Sequence, residues 1–299
     1  MSNIQNIAIC TWYDDAIAHY ADIARDINIA WKNKVNDYYT SISNNNPEQT
    51  KYIFDVLTDN TEPTDEWKEK RKPHWNRIPM LSNHLNMKND DGTNKYDYVM
   101  WIDADACFRY NNNYTDLFES IVTRYSGKDL IFSQDEDDYM IHRTVIFTSL
   151  FILSVIVLLY VFLPFNKFMF ISLVTLFSLL VLVTLIMVII KYNSDYDLNS
   201  GVIIIKNTDY SKRTIEYWKS SDCYNNRVKP WQDQGCLRYS MVRNINNIQN
   251  NSVILNYGIL QMFEYNQEDE SLIIHFAGDK QKHKRQELLL NLKNEFGIN

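Results

Sequence analysis

Two aspartates one residue apart, Asp103 and Asp105, follow the apolar run Tyr98-Val99-Met100-Trp101-Ile102. The β-branched and aromatic content of that run predicts a buried strand, so the two carboxylates stand at its exit. Anionic oxygens at this spacing can hold a hard divalent cation, and a cation so held can bind a diphosphate that the protein's own negative charge would otherwise repel. Asp135-Glu136-Asp137 and Asp195-Tyr196-Asp197 repeat the spacing, but the strand before Asp103 sets the first copy apart. Three further segments carry polar groups beside apolar runs. Leu198-Asn199-Ser200-Gly201 leads into a strand ending at Lys206-Asn207, Trp231-Gln232-Asp233-Gln234-Gly235-Cys236-Leu237 opens a helix, and Ile274-His275-Phe276-Ala277-Gly278-Asp279-Lys280 ends the last strand.

The elements that must position these groups alternate. Asn6–Thr11 reads as a first strand, and Ile17, Ala21, Ala24, Ile27 and Trp31 recur at helical spacing over about 15–34. Further strands are predicted at 52–57, 98–102, 129–133, 201–205 and 272–276, with helices after Pro73 and at about 209–220, 233–242 and from 281 onward. Strands with apolar interiors separated by helices imply an α/β domain with a mostly parallel sheet covered on both faces.

With 299 residues the chain can bury a sizeable core, and 30 Lys and Arg against 37 Asp and Glu leave no basic field, which argues against nucleic acid as a partner. Cysteines at 10, 107, 223 and 236 lack metal-finger spacing and are too few for a disulfide framework, so reduced thiols are expected. From Val145 to Leu163 and from Phe168 to Ile190 the chain is almost wholly apolar, each run being long enough, at roughly 20 residues, to cross a bilayer as a helix. Pro164, Asn166 and Lys167 break the two runs, so residues 144–191 read as a transmembrane hairpin inserted between residues 1–143 and 192–299. A hairpin returns the chain to the side it left, and those two parts can then form one domain. Arg143 and Lys191 on that side, against Lys167 on the other, bias it to the cytosol.

Taken in order, the motifs resemble those of the GT-A-fold galactosyl-, mannosyl- and xylosyltransferase family that includes yeast α-galactosyltransferases and plant xyloglucan xylosyltransferases. Asn33-Lys34 and Trp75-Asn76-Arg77-Ile78-Pro79-Met80-Leu81 look like that family's Asn-Lys and Trp-x-Lys-x-x-x-Leu segments. The resemblance implies a Rossmann-like GT-A fold in which Asp103, Asp105 and His275 bind Mn²⁺ or another divalent cation bridging a nucleotide-sugar diphosphate. Mn²⁺ accepts mixed carboxylate and imidazole donors, which is consistent with that set. It further implies that Gly278 and Lys280 sit against the diphosphate and that Asn199, Ser200 and Gly201 lie beside the transferred sugar. There an amide can bind hydroxyls, and a glycine lets backbone approach closely. Asp233 and Gln234 fall near the reacting centre. Gln232 departs from the plant members, which carry another aspartate there. Lys282, His283, Lys284 and Arg285 read as a solvated helix start.

The reaction implied is transfer of a galactose-, xylose- or mannose-class sugar to an acceptor hydroxyl with retention of configuration. Retention by two inversions needs a carboxylate nucleophile, for which Asp233 is the candidate; front-face attack instead lets the leaving phosphate take the acceptor proton. The family's usual anchor is N-terminal, whereas this hairpin interrupts the catalytic domain close to Asn199. A glycan or lipid-linked acceptor held near a membrane surface is therefore expected. The competing readings are a catalytically inactive GT-A-like membrane adaptor and a metal-dependent phosphohydrolase, the latter needing a denser cluster of ligands than the sequence offers.

Overall fold

The computed structural model describes residues 4–45, 50–58, 73–109, 114–135, 198–225, 227, 232–263, 271–277 and 284–298, together with the single positions 154 and 175. Two compact units divide the chain, one formed by Met1–Gln134 with Leu198–Asn299 and the other by Asp135–Asp197. Apart from those two positions, the predicted hairpin at 144–191 lies outside the described residues. Among the described residues no helix is long and apolar enough to cross a membrane.

The first unit is built on a six-stranded sheet of order β2-β1-β3-β6-β5-β7. Its strands are β1 (Ile4–Thr11), β2 (Lys51–Thr58), β3 (Tyr98–Ile102), β5 (Leu130–Gln134), β6 (Leu198–Lys206) and β7 (Ser252–Leu255). β1 pairs in parallel with β2 and β3, and β5 with β7, while β6 runs antiparallel to both β3 and β5. The expected mostly parallel sheet is therefore mixed at its centre, with five strands sharing one direction and β6 opposing them. A smaller sheet joins β4 (Ala106–Phe108), β9 (Ile273–His275) and β8 (Gln261–Met262) in the order β4-β9-β8.

Both faces of the large sheet are covered, which is why β3 and most of β6 are apolar without alternation. On one face Ile7, Ile9, Tyr98, Met100 and Ile102 join a core with Ala24, Ile27, Trp31, Val35 and Tyr39 of α1 (Ala18–Asn45). Trp31 stacks on Phe108 at 3.6 Å and meets Phe54 edge-on at 5.1 Å, tying α1 to β4 and β2. The helix predicted to end near Lys34 continues because Val35 and Tyr39 extend the same four-residue spacing into that core. Against the other face packs α2 (Arg77–Asn86), with Ile78, Leu81 and Leu85 buried, and α4 (Asp209–Lys219) packs against α2, with Ile215 and Trp218 buried. Further α-helices among the described residues are α3 (Tyr114–Arg124), α5 (Ser221–Asn225), α6 (Gln232–Val242), α7 (Ile248–Asn251) and α8 (Arg285–Glu295).

One expectation about the cysteines is corrected. Cys223 of α5 is disulfide-bonded to Cys236 of α6, whereas Cys10 and Cys107 are buried and not disulfide-bonded. Thirteen residues separate the bonded pair in sequence, and only the packing of two short helices brings their Cα atoms to 5.4 Å.

Candidate active site

Strand register brings the predicted groups together. Ile102 of β3 pairs with Val202 of β6, so Asp103 leaves the sheet opposite Gly201 and its amide donates to the Gly201 carbonyl at 2.8 Å. Three residues on, Ala106 of β4 pairs with His275 of β9, which sets Asp105 beside that imidazole; the Phe276 amide closes the junction onto the Asp105 carbonyl at 2.8 Å. Along β6 the pairing with β5 jumps from Phe132↔Ile203 to Ser133↔Asn199. Ser200, Gly201 and Val202 thus have no partner on β5, a bulge of the kind that re-aims backbone beside functional sites.

The result is a cavity of about 660 Å³. Of the predicted residues, Asp103, Asp105, Asn199, Ser200, Gly201, Asp233, Gln234 and His275 all line it. Gly278 and Lys280 lie outside the described residues. Trp12, Asp14, Ile17 and Tyr20, from the β1–α1 connection and the start of α1, form a further wall that the sequence reading did not assign to the site.

One ligand-capable atom from each of Asp103, Asp105 and His275 falls within 4.8 Å of the others. His275 Nε2 is 3.2 Å from Asp105 Oδ1 and 3.6 Å from Asp103 Oδ2. In octahedral coordination at about 2.1 Å, cis donors stand roughly 3 Å apart and trans donors about 4.2 Å, so small shifts would let these atoms share one ion. The other polar atom of each side chain is held by the scaffold. Asp103 Oδ1 accepts from Trp101 Nε1 at 2.8 Å and pairs with Arg77 at 3.1 Å; Asp105 Oδ2 pairs with Arg285 at 3.2 Å; and His275 Nδ1 lies 3.2 Å from Gln261 Oε1. An amide oxygen and an ionised carboxylate can each only accept, so Nδ1 donates to Gln261 and Nε2 to Asp105, and a cation taking Nε2 would replace that proton. Such outer partners orient ligands and fix the imidazole tautomer at metal sites.

Burial alone would lower the His275 pKa and raise that of Asp105. Each is shifted the other way, because the Asp105 and Asp103 carboxylates favour the imidazolium, while His275 and Arg285 favour the carboxylate. Gly201 serves this pair by its lack of a side chain. A Cβ there would press on the His275 ring, 2.7 Å from Nδ1, and come within 2.9 Å of Asn199 Oδ1. The glycine thus makes room for the histidine, whereas the sequence suggested room for a ligand.

Through Arg77 this cluster joins a second group, in which polar atoms bind one another. Asp233, in the first turn of α6 and almost fully buried, pairs with Arg77 Nε at 3.0 Å. Arg77 also donates to the carbonyl and, at 3.2 Å, to the hydroxyl of Ser200. Gln234 Oε1 accepts from the Ser200 amide at 3.1 Å and hydroxyl at 3.2 Å, and Asn199 Oδ1 accepts from the Gly201 amide at 2.7 Å. Arg77 stands where the resembled motif carries lysine, and its fork joins Asp103 to Asp233 in a way a point charge could not. Gln261 and Arg285 had no sequence signal, and Arg285 corrects the reading of its segment as solvated: it lines the cavity with its side chain only 13% exposed.

The family model described as the galactosyl transferase GMA12/MNN10 family matches residues 183–286. Among solved structures, a glycosyltransferase involved in glycosylation of the major capsid of PBCV-1 is similar at 12% identity and TM-score 0.50, covering 95% of this chain and 98% of that one. Galactosyltransferase LgtC, solved with donor and acceptor sugar analogues, is 12% identical over 96% of this chain and 95% of its own, with TM-score 0.38. Mouse xyloside xylosyltransferase 1 is 8% identical over 91% and 97%, with TM-score 0.41. No curated protein matches the chain. The matched segment contains Asn199, Asp233 and His275, and together with the mixed α/β GT-A-like fold it places the chain among the glycosyltransferase enzymes.

Proposed function

We propose that this chain transfers a galactose-, xylose- or mannose-class sugar from a nucleotide diphosphate to an acceptor hydroxyl, using a divalent cation held by Asp103, Asp105 and His275. One observation carries the reading: each of these side chains has one polar atom fixed by the scaffold and its other atom turned toward the shared point. Mn²⁺ suits the mixed carboxylate and imidazole set, and when bound it would neutralise charge on the departing diphosphate. Asn199, Ser200 and Gln234 would orient the sugar, and Gly278 and Lys280 would contact the diphosphate.

Retention by front-face attack is favoured over a covalent intermediate. Asp233, the carboxylate best placed by sequence to act as nucleophile, is buried and paired with Arg77. Pairing with a guanidinium weakens it as an attacking group and fits it to hold Arg77 and Ser200 in position, with rate coming from positioning and electrostatics.

The acceptor side is proposed to be a glycan or lipid-linked acceptor at a membrane, reached through the apolar segment 144–191. Gln134 and Leu198 are register partners, so the chain leaves the catalytic sheet and re-enters it at one point, next to Asn199. A cytosolic catalytic domain follows from the flanking charges, and it requires Cys223 and Cys236 to escape reduction there, since disulfides persist mainly in oxidising compartments.

The test is a panel of nucleotide sugars scored for thermal stabilisation with and without Mn²⁺, because a ligand that binds the folded state raises its stability by mass action. Stabilisation by a uridine- or guanosine-diphosphate sugar only when Mn²⁺ is present is expected. Equal stabilisation without the metal would refute the metal role, and no response to any donor would favour the inactive adaptor.

A further inference from the structure

The geometry points to Arg285 as a second anion-binding residue for the donor, contacting its diphosphate beside the metal; this rests on the metal-dependent reading above. Arg285 opens α8 and reaches back over the cavity. Its Nε donates to the Phe276 carbonyl at 2.8 Å, its Nη2 pairs with Asp105 Oδ2 at 3.2 Å, and its guanidinium sits 4.8 Å from the centre of the Tyr20 ring on α1. A guanidinium carries five N–H donors in a rigid fork, more than one carbonyl, one carboxylate oxygen and the Tyr20 hydroxyl use.

The charges around the cavity explain what such a group is for. Arg77 is the other described cation lining it, and that residue is bound to Asp103, Asp233 and Ser200. Arg285 instead touches the outer oxygen of Asp105, whose inner oxygen faces the proposed metal. A diphosphate on that metal would lie within one carboxylate's width of the guanidinium. There a planar, permanently charged fork forms strong bidentate bonds to phosphate oxygens. The Phe276 carbonyl and the Tyr20 face hold the fork in place before the donor arrives, so little side-chain freedom remains to be lost on binding.

This role predicts opposite effects on two ligands. Wild type, R285Q and R285K would be titrated first with Mn²⁺ alone, followed by electron paramagnetic resonance, and then with inorganic pyrophosphate at saturating Mn²⁺, followed by calorimetry. In R285Q, loss of a nearby cation leaves Mn²⁺ affinity unchanged or raises it, while pyrophosphate affinity falls about tenfold. R285K, which keeps the charge and loses the fork, should fall in between. A parallel fall in both affinities would make Arg285 a mere support for Asp105 and overturn the proposal, as would unchanged pyrophosphate binding. Wild-type protein that binds Mn²⁺ but not pyrophosphate would refute the Arg285 role and leave the metal site standing. Wild type that binds no Mn²⁺ would end both. Thermal unfolding of each variant checks that it folds, and R285K carries the comparison if R285Q does not.

Discussion

At one end of a polar network linked through Arg77, Asp103, Asp105 and His275 each keep one polar atom turned toward a shared point, whereas at the other Asp233, Gln234 and Asn199 direct theirs to Arg77, Ser200 and the Gly201 amide. Identical chemistry, carboxylates and amides at strand and helix ends, is thus put to two uses. The first end gathers two carboxylates around one imidazole, joined by a His275–Asp105 bond that a cation would replace. The second end satisfies itself, and so is suited to holding shape while another group does the reacting. On the proposed function, charge stabilisation belongs to the first end and orientation to the second.

Removing a donor from the first end should have the largest effect. D105A is expected to cost on the order of a thousandfold in transfer rate, the scale on which a metal stabilises developing charge, with Mn²⁺ affinity falling alongside; steady-state kinetics across Mn²⁺ concentration measures both. A variant retaining Mn²⁺-dependent turnover would break the contrast between the ends. At the second end, D233N should leave a measurable rate, lower by up to about a hundredfold through misplacement of Arg77 and Ser200. Complete loss, with a sugar trapped covalently on wild type, would show that end to be reactive.

Outer-shell changes should be smaller. Q261L removes the acceptor for His275 Nδ1 and is expected to weaken Mn²⁺ binding about 10- to 100-fold, whereas Q261E keeps an acceptor and should retain most of the affinity. G201A forces the His275 ring to move and should cost about 1–3 kcal/mol of stability, read by denaturant unfolding, as well as metal affinity.

The smallest effect is on pH. In metal-free protein the raised His275 contributes stability below its ordinary value of 6.5 and loses it as pH climbs through the folded value. The lowered Asp105 contributes above 3.8 and loses it as pH falls. The pair therefore stabilises most between those two values, and Mn²⁺, which must displace the imidazole proton, binds better as pH rises. The rise in melting temperature on adding Mn²⁺ should grow from pH 6 to pH 8, and a flat response would remove His275 from the metal's ligands.

How far the sequence reveals this molecule depends on whether a residue acts along the chain or across it. β1, β3 and β6 are legible because burial on both faces demands unbroken apolar runs. Asp103, Asp105 and His275 are legible because each stands at the end of such a run. The strands β4 and β8, of three and two residues, are too short to show a period. Gln261 becomes meaningful only through β8 pairing with β9, Arg285 only because α8 folds back toward α1, and the Cys223–Cys236 bond only because α5 lies against α6. Gly201 is marked by its motif, but what the structure shows it doing, clearing space for an imidazole 74 positions away, is set by register.

Anomalous diffraction from crystals grown with Mn²⁺ tests the central claim most directly. The account predicts a single strong peak at roughly 2.1–2.3 Å from Asp103 Oδ2, Asp105 Oδ1 and His275 Nε2, with remaining positions open to water or phosphate. No peak there at saturating Mn²⁺, with His275 still bridged to Asp105, would contradict it.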